Sequence, residues 1–180
     1  ELTGSLAARF ITVRGIVQGV GFRPFVYNLA IRLGLNGTVC NTSHGVEILL
    51  EGEEPRIEDF LHELKTTPPP LAQIDSIETL ERERSGQSGF TILESVPEPG
   101  EFVPVPADIA ICDDCRRELM DPHDRRHRYP FINCTNCGPR FTIIHDLPYD
   151  RPLTSMSGFP LCPECQAEYE EPSNRRFHAE

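Results

Sequence analysis

Two sets of residues in this sequence could do chemistry, and they lie in opposite halves of it. The first is the stretch VRGIVQGVGFR at 13–23, where three glycines and a glutamine lead into Phe22 and Arg23. If a helix starts at Phe22 or Arg23, its unpaired N–H groups face the loop and its positive end attracts an anion. Gly15, Gly19 and Gly21 let the amides of Gln18, Gly19, Val20, Gly21 and Phe22 converge into a nest. Arg23 adds a fixed charge whose fork matches two phosphate oxygens. These are the parts of a phosphate cradle. They are equally the parts of a plain strand-to-helix turn, because glycine patterns recur by chance, and the residues alone leave both readings open.

The second set is cysteine. Six of the seven cysteines form three C-x-x-C pairs, Cys112/Cys115, Cys134/Cys137 and Cys162/Cys165. Eighteen residues separate Cys115 from Cys134, a spacing that suits tetrahedral zinc held by four thiolates. Such a site has no open position for water, so the expected zinc is structural. It would organise a polar, proline-rich segment with little core of its own, where bound zinc contributes ~10–16 kcal/mol of folding free energy. Disulfides within the pairs are the competing reading; vicinal pairing fits a reducing, cytoplasmic setting better. Cys40, in an apolar strand-like stretch, reads as a small core residue.

The cysteine half also repeats. CDDCRRELMDPHDRRHRYPF (112–131) aligns with CPECQAEYEEPSNRRFHAE (162–180) at an offset of fifty. Both copies carry C-x-x-C, an acid (Glu118 or Glu168), a proline (Pro122 or Pro172) and an arginine pair (Arg125/Arg126 or Arg175/Arg176). A continued repeat would place the partners of Cys162 and Cys165 at 184 and 187, so the second finger is expected to be truncated at Glu180. His178 is the one substitute third ligand the chain offers, but a finger left without its partners is the preferred reading; His123 and His127 read as surface residues. Arg140 and Arg151 are expected to pair with surface acids rather than with a phosphate.

The elements that must position these residues follow from periodicity. Ile11, Val13 and Val17 alternate as in a half-buried strand over 10–18. Phe22, Phe25, Val26, Leu29, Ala30 and Leu33 form a helical stripe, with Pro24 in its first turn and Gly34 at its end. Strands follow around GTVCN and VEILLEG, then a helix bearing Ile57, Phe60, Leu61 and Leu64. AQIDSIETLERERS reads as strand or helix, since Ile74, Ile77 and Leu80 are three apart, and GFTILES closes as a strand. The β-α-β-β-α-β order predicts an α+β, ferredoxin-like fold over 1–93. Residues 94–107, with four prolines, read as a linker, and 108–180 as a zinc-finger region with little regular structure. The first finger spans 112–137 and the second starts at 162.

A net charge of −11 and a pI near 5.0 argue against a nucleic-acid-coating surface. No apolar run approaches the ~20 residues of a membrane span. The N-terminus lacks signal-peptide features, and its missing methionine is expected of a trimmed piece.

VRGIVQGVGFR resembles the signature of the acylphosphatases, V-x-G-x-V-Q-G-V-x-F-R, at every fixed position. GTVCNTSHGVEI fits their second element through Gly37, Val39, Asn41, Gly45, Val46 and Glu47; His44 stands where acids are common. The resemblance covers about 9–94 and implies catalytic roles for Arg23, which with the loop amides holds the phosphate, and Asn41, which orients the attacking water. The whole chain, with RRHRYPFINCTNCGPRFTI and DRPLTSM between and around its fingers, is similar to the carbamoyltransferases that mature nickel–iron hydrogenases. That similarity implies cleavage of carbamoyl phosphate. It also implies downstream domains that make and transfer carbamoyl-adenylate, and a partner maturation protein with a C-terminal cysteine. The alternatives are a general acylphosphatase and a non-catalytic module that binds an anion and docks partners through its fingers. A zinc-ribbon nucleic-acid binder has only the fingers in its favour.

Overall fold

Apolar alternation along Ala8, Ile11 and Val13 forms strand β1 (Leu6–Ile16), which begins four residues ahead of the expected start. The computed structural model describes residues 5–95, 107–147 and 149–179. Helix α1 (Phe22–Arg32) follows the glycine loop and buries Phe22, Val26, Leu29 and Ala30. Strands β2 (Asn36–Thr42) and β3 (Gly45–Glu53) form a tight hairpin, and helix α2 (Glu54–Thr66) buries Ile57, Phe60 and Leu64. Strands β4 (Gln73–Arg82) and β5 (Phe90–Ile92) complete a five-stranded sheet in the order β4-β1-β3-β2-β5. Among the described residues, only β2 and β5 pair in parallel. This is the expected α+β, ferredoxin-like sheet. Its fourth strand is the ambiguous segment, and GFTILES supplies an extra edge strand.

The ambiguity has a physical cause. The β1–β4 ladder is Arg14↔Ser76 then Gly15↔Ile74, which leaves Asp75 as the extra residue of a bulge. The bulge reverses the alternation, so Ile74 and Ile77 both pack against the core although three residues apart. Gly15 makes this possible: at φ 127°, a Cβ there would lie 2.1 Å from the Gln73 carbonyl oxygen. Gly15 thus serves the sheet, and the curl of the expected cradle is left to Gly19 and Gly21.

In the cysteine half, helices α3 (Asp113–Met120) and α4 (Pro163–Glu170) each begin just after the first cysteine of a pair. Short 3₁₀ turns occupy the segment between the repeats. The offset of fifty extends to the backbone. Arg128 N–H bonds to the Leu119 carbonyl and His178 N–H to that of Tyr169, and both donors have positive φ, 61° and 47°. The proline stretch at 96–106, and with it most of the expected linker, lies outside the described residues.

The two repeats exchange arginines. Arg125 and Arg126 of the first bind Glu168 of the second, while Arg175 and Arg176 of the second bind Glu118 of the first. Arg176 also donates to the Asn133 carbonyl, and the Arg175 carbonyl accepts from Thr135 N–H at 2.9 Å. Glu118→Ala is expected to lower stability by roughly 1.5–3 kcal/mol, the range for hydrogen bonds to charged groups. Chemical denaturation checks this; an unchanged midpoint would show that the exchange contributes nothing.

Candidate active site and metal centre

Gly19 and Gly21, at φ 70° and 75°, curl the chain between β1 and α1, and Gly21 caps the helix. Helix geometry leaves the N–H groups of Phe22 and Arg23 without intrahelical partners, and Pro24 has none to satisfy. Gln18 anchors the loop from behind: its Nε2 donates to the carbonyls of Thr42 (2.7 Å) and Gly45 (3.0 Å) in the β2–β3 turn. Val20 packs into the core. Of the loop residues expected to bind phosphate, Gly19, Gly21, Phe22 and Arg23 line a hollow of about 30 Å³, while Gln18 and Val20 support the loop.

Asn41 reaches the same hollow from β2. The ladder pairs it with Val46, which pairs with Val13. It therefore ends an apolar row on the core face of the sheet, and a one-residue slip would turn it to the other face. Asn41 is only 1 % exposed, and neither its Oδ1 nor its Nδ2 has a protein partner. A buried amide left so is costly unless a ligand or water meets it.

Arg23 is 7 % exposed and held from the other half of the chain. Its Nη2 lies 3.1 Å from Asp150 Oδ1 and 3.4 Å from His178 Nδ1, and its Nη1 donates to Ser95 Oγ at 3.3 Å. Burial alone would raise the Asp150 carboxyl, but nearby His178, with Nδ1 3.8 Å from Oδ1, and the charge of Arg23 outweigh it and hold the group below its ordinary value. It is ionised at neutral pH. His178 stacks on Tyr169 with ring centroids 4.7 Å apart. His178 is thus engaged beside Arg23 at the start of α1 rather than as a ligand for the second cysteine pair.

Cys112, Cys115, Cys134 and Cys137 bring four sulfurs within 4.8 Å of one another. Adjacent sulfurs are 3.6, 3.8 and 3.9 Å apart, far beyond a disulfide bond and suited to a metal ion at their centre. Arg175 Nη1 lies 3.2 Å from Cys115 Sγ, Arg140 Nη2 3.4 Å from Cys137 Sγ, and Asn136 N–H 3.4 Å from Cys134 Sγ. These donors favour the thiolates a metal needs. Arg140 also binds the carbonyls of Cys137 and Ile132, and Arg151 donates to that of Phe159. The expected pairing of Arg140 with surface acids gives way to bracing of the cysteine knuckle.

Cys162 and Cys165 lie apart from this cluster, beside a cavity of about 380 Å³. Arg125 Nη1 is 3.3 Å from Cys165 Sγ. Cys40 is half-buried in β2, and burial, then Glu47, raises its thiol.

The acylphosphatase family pattern matches residues 9–92, and the HypF finger pattern matches 111–144 and 161–180. An acylphosphatase of Thermus thermophilus is 42 % identical over 81 residues, which are 44 % of this chain and 91 % of that protein. The chain belongs to the acylphosphatase family, joined here to a HypF finger. A carbamoyltransferase HypF of Rhodobacter capsulatus is 47 % identical over 171 residues, 94 % of this chain and 22 % of that protein. A crystal structure of full-length HypF in the phosphate- and nucleotide-bound form superposes with a TM-score of 0.90 at 55 % identity, covering 97 % of this chain and 23 % of that one. The chain spans about a fifth of the length of the HypF relatives it matches. It carries their acylphosphatase and finger region, and no helix among its described residues is long and apolar enough to cross a membrane.

Two features of this acylphosphatase–finger pair escape sequence reasoning: the contact of Asp150 and His178 with Arg23, and the exchange of arginines between repeats. The second left a signal, since both copies keep the acid and the arginine pair.

Proposed function

We propose that the front domain hydrolyses carbamoyl phosphate, as the first stage of a carbamoyl transfer completed by other domains of a HypF protein. The observation that carries this reading is the convergence of Arg23 and the unpartnered amide of Asn41 on one hollow at the start of α1. The phosphate-bound state of the related full-length HypF supports it. An acyl phosphate has a good carboxylate leaving group, so the protein needs to supply little beyond positioning and charge. Arg23 and the amides of the loop hold the phosphoryl oxygens. The Asn41 amide orients a water; it is too weak a base to take its proton. Water oxygen bonds to phosphorus as the bond from phosphorus to the acyl oxygen breaks. Carbamate leaves with the electron pair, and the two hydrogens of water end on dihydrogen phosphate.

Zinc fits the four sulfurs. Tetrahedral Zn–S bonds of about 2.3 Å set sulfurs about 3.8 Å apart, and Cys112, Cys115, Cys134 and Cys137 would hold the ion. It supplies a fixed tetrahedral crosslink and no open position for substrate. Cys162 and Cys165, in the second matched part of the finger pattern, would serve as two ligands of a second site of the same kind. The family resemblance extends the reading to downstream carbamoyl-adenylate and transfer domains, to a hydrogenase maturation partner with a C-terminal cysteine, and to a cytoplasmic setting in which the thiols stay reduced.

Asn41→Ala separates water positioning from phosphate binding. The expected result is a fall in kcat of about 10²–10³, with binding of inorganic phosphate, followed by calorimetry, little changed. Equal loss of both would assign Asn41 to the cradle instead.

A further inference from the structure

We propose that the finger half forms the acyl-side wall of the phosphate site, and that Tyr149 and His178 restrict the site to acyl phosphates whose acyl group is about the size of carbamoyl. This rests on the reading of the front domain as an acyl phosphate hydrolase and adds what limits its substrates.

The wall lies directly on the loop. A Cβ placed on Gly19 would be 3.0 Å from Pro139 Cγ and from Tyr149 Cδ1, and one on Gly21 would be 3.0 Å from Thr135 Cβ. Tyr149 is 4 % exposed, and it lines the hollow together with His178, Phe177, Asn133, Asn41 and Arg23. The match to the acylphosphatase family ends at residue 92, and the Thermus acylphosphatase is matched over 91 % of its length by 81 residues, so this wall is what the present chain adds.

The hollow measures about 30 Å³, against about 150 Å³ for a protein cavity that takes benzene, so an aromatic acyl group has no room beside the phosphoryl group while the wall stays in place. A larger cavity, about 350 Å³, lies beyond it and shares Arg23 and His178 as lining residues. The two side chains stand as the partition. Asp150 and Ser95 hold Arg23 in that partition, and stacking on Tyr169 with a tilted ring contact to Phe177 holds His178. A bulky acyl group must displace one of them. The first repeat builds the same tight backbone with Arg128 at the corresponding position, so the loop is common to both copies and the imidazole is particular to the one at the site.

The test uses the intact chain and Arg23-dependent phosphate release from carbamoyl, acetyl and benzoyl phosphate. Carbamoyl and acetyl phosphate are expected to be cleaved with similar kcat/KM and benzoyl phosphate at least about tenfold more slowly. His178→Ala and Tyr149→Ala, each checked for folding, are expected to raise the benzoyl-to-acetyl ratio. Benzoyl phosphate cleaved as well as acetyl phosphate by the wild-type chain would overturn the wall. Calorimetric binding of methylphosphonate and phenylphosphonate reads the same wall without turnover: weaker phenylphosphonate binding supports it and equal binding overturns it. No release from any acyl phosphate, with methylphosphonate still preferred, would sink the hydrolase reading and leave the wall standing.

Discussion

Arg23→Ala is expected to lower phosphate release from carbamoyl phosphate by about 10²–10³-fold, the usual cost of one preorganised charge-stabilising donor. The guanidinium lies in the hollow at the start of α1, almost fully buried, where its charge is poorly screened. The loop amides remain in the variant, so residual binding of inorganic phosphate is expected while turnover collapses. Arg23→Lys restores charge without the fork and recovers only part of the rate. Because Asp150 loses one of its partners, a melting curve must accompany the kinetics. A folded Arg23→Ala chain that cleaves carbamoyl phosphate at the wild-type rate would remove Arg23 from the mechanism.

Cys115→Ser, or treatment with a chelator, is expected to unfold the finger half and leave the front domain folded. Cys115 is fully buried with Cys134, Cys137 and Ile132 in a cluster that is small beside the core around β1, β3, α1 and α2. That small cluster cannot offset the chain entropy of the finger region, whereas a structural zinc contributes ~10–16 kcal/mol. Hydrogen exchange followed by mass spectrometry should show protection lost across 112–179 and retained in α1, β3 and α2. Arg175 also binds Cys115 and its loop leads to His178, so release of the metal should uncover the phosphate loop as well. Protection persisting in the metal-free fingers would show that they are held by packing instead.

The front domain was legible because its two helices carry apolar stripes at helical spacing and its first three strands alternate. The bulge at Asp75 hid β4, because a single extra residue converts strand alternation into a spacing of three. Arg23 and Asn41 were found through short motifs, and the fold joins them because strand register puts Asn41 beside the start of α1. Asp150 and His178 could not be read in this way. They lie 127 and 155 residues from Arg23, on segments without a periodic pattern, and reach it only through the packing of the finger half on the loop. The metal quartet was legible from spacing alone, since C-x-x-C fixes two sulfurs locally and only one further pair was needed. The arginine exchange was visible as shared letters in the two repeats, but not as a contact across them.

Cleavage of carbamoyl phosphate in ¹⁸O-labelled water tests the central claim most directly. Attack of an oriented water on phosphorus predicts that the phosphate released by the intact chain, resolved by its ³¹P isotope shift, carries one ¹⁸O. The labelled fraction should rise with enzyme concentration and fall about 10²–10³-fold in Arg23→Ala at equal concentration. Enzyme-dependent phosphate without the label would mean that the bond to phosphorus is not the one broken, and would contradict the assignment of the cradle and of Asn41 alike.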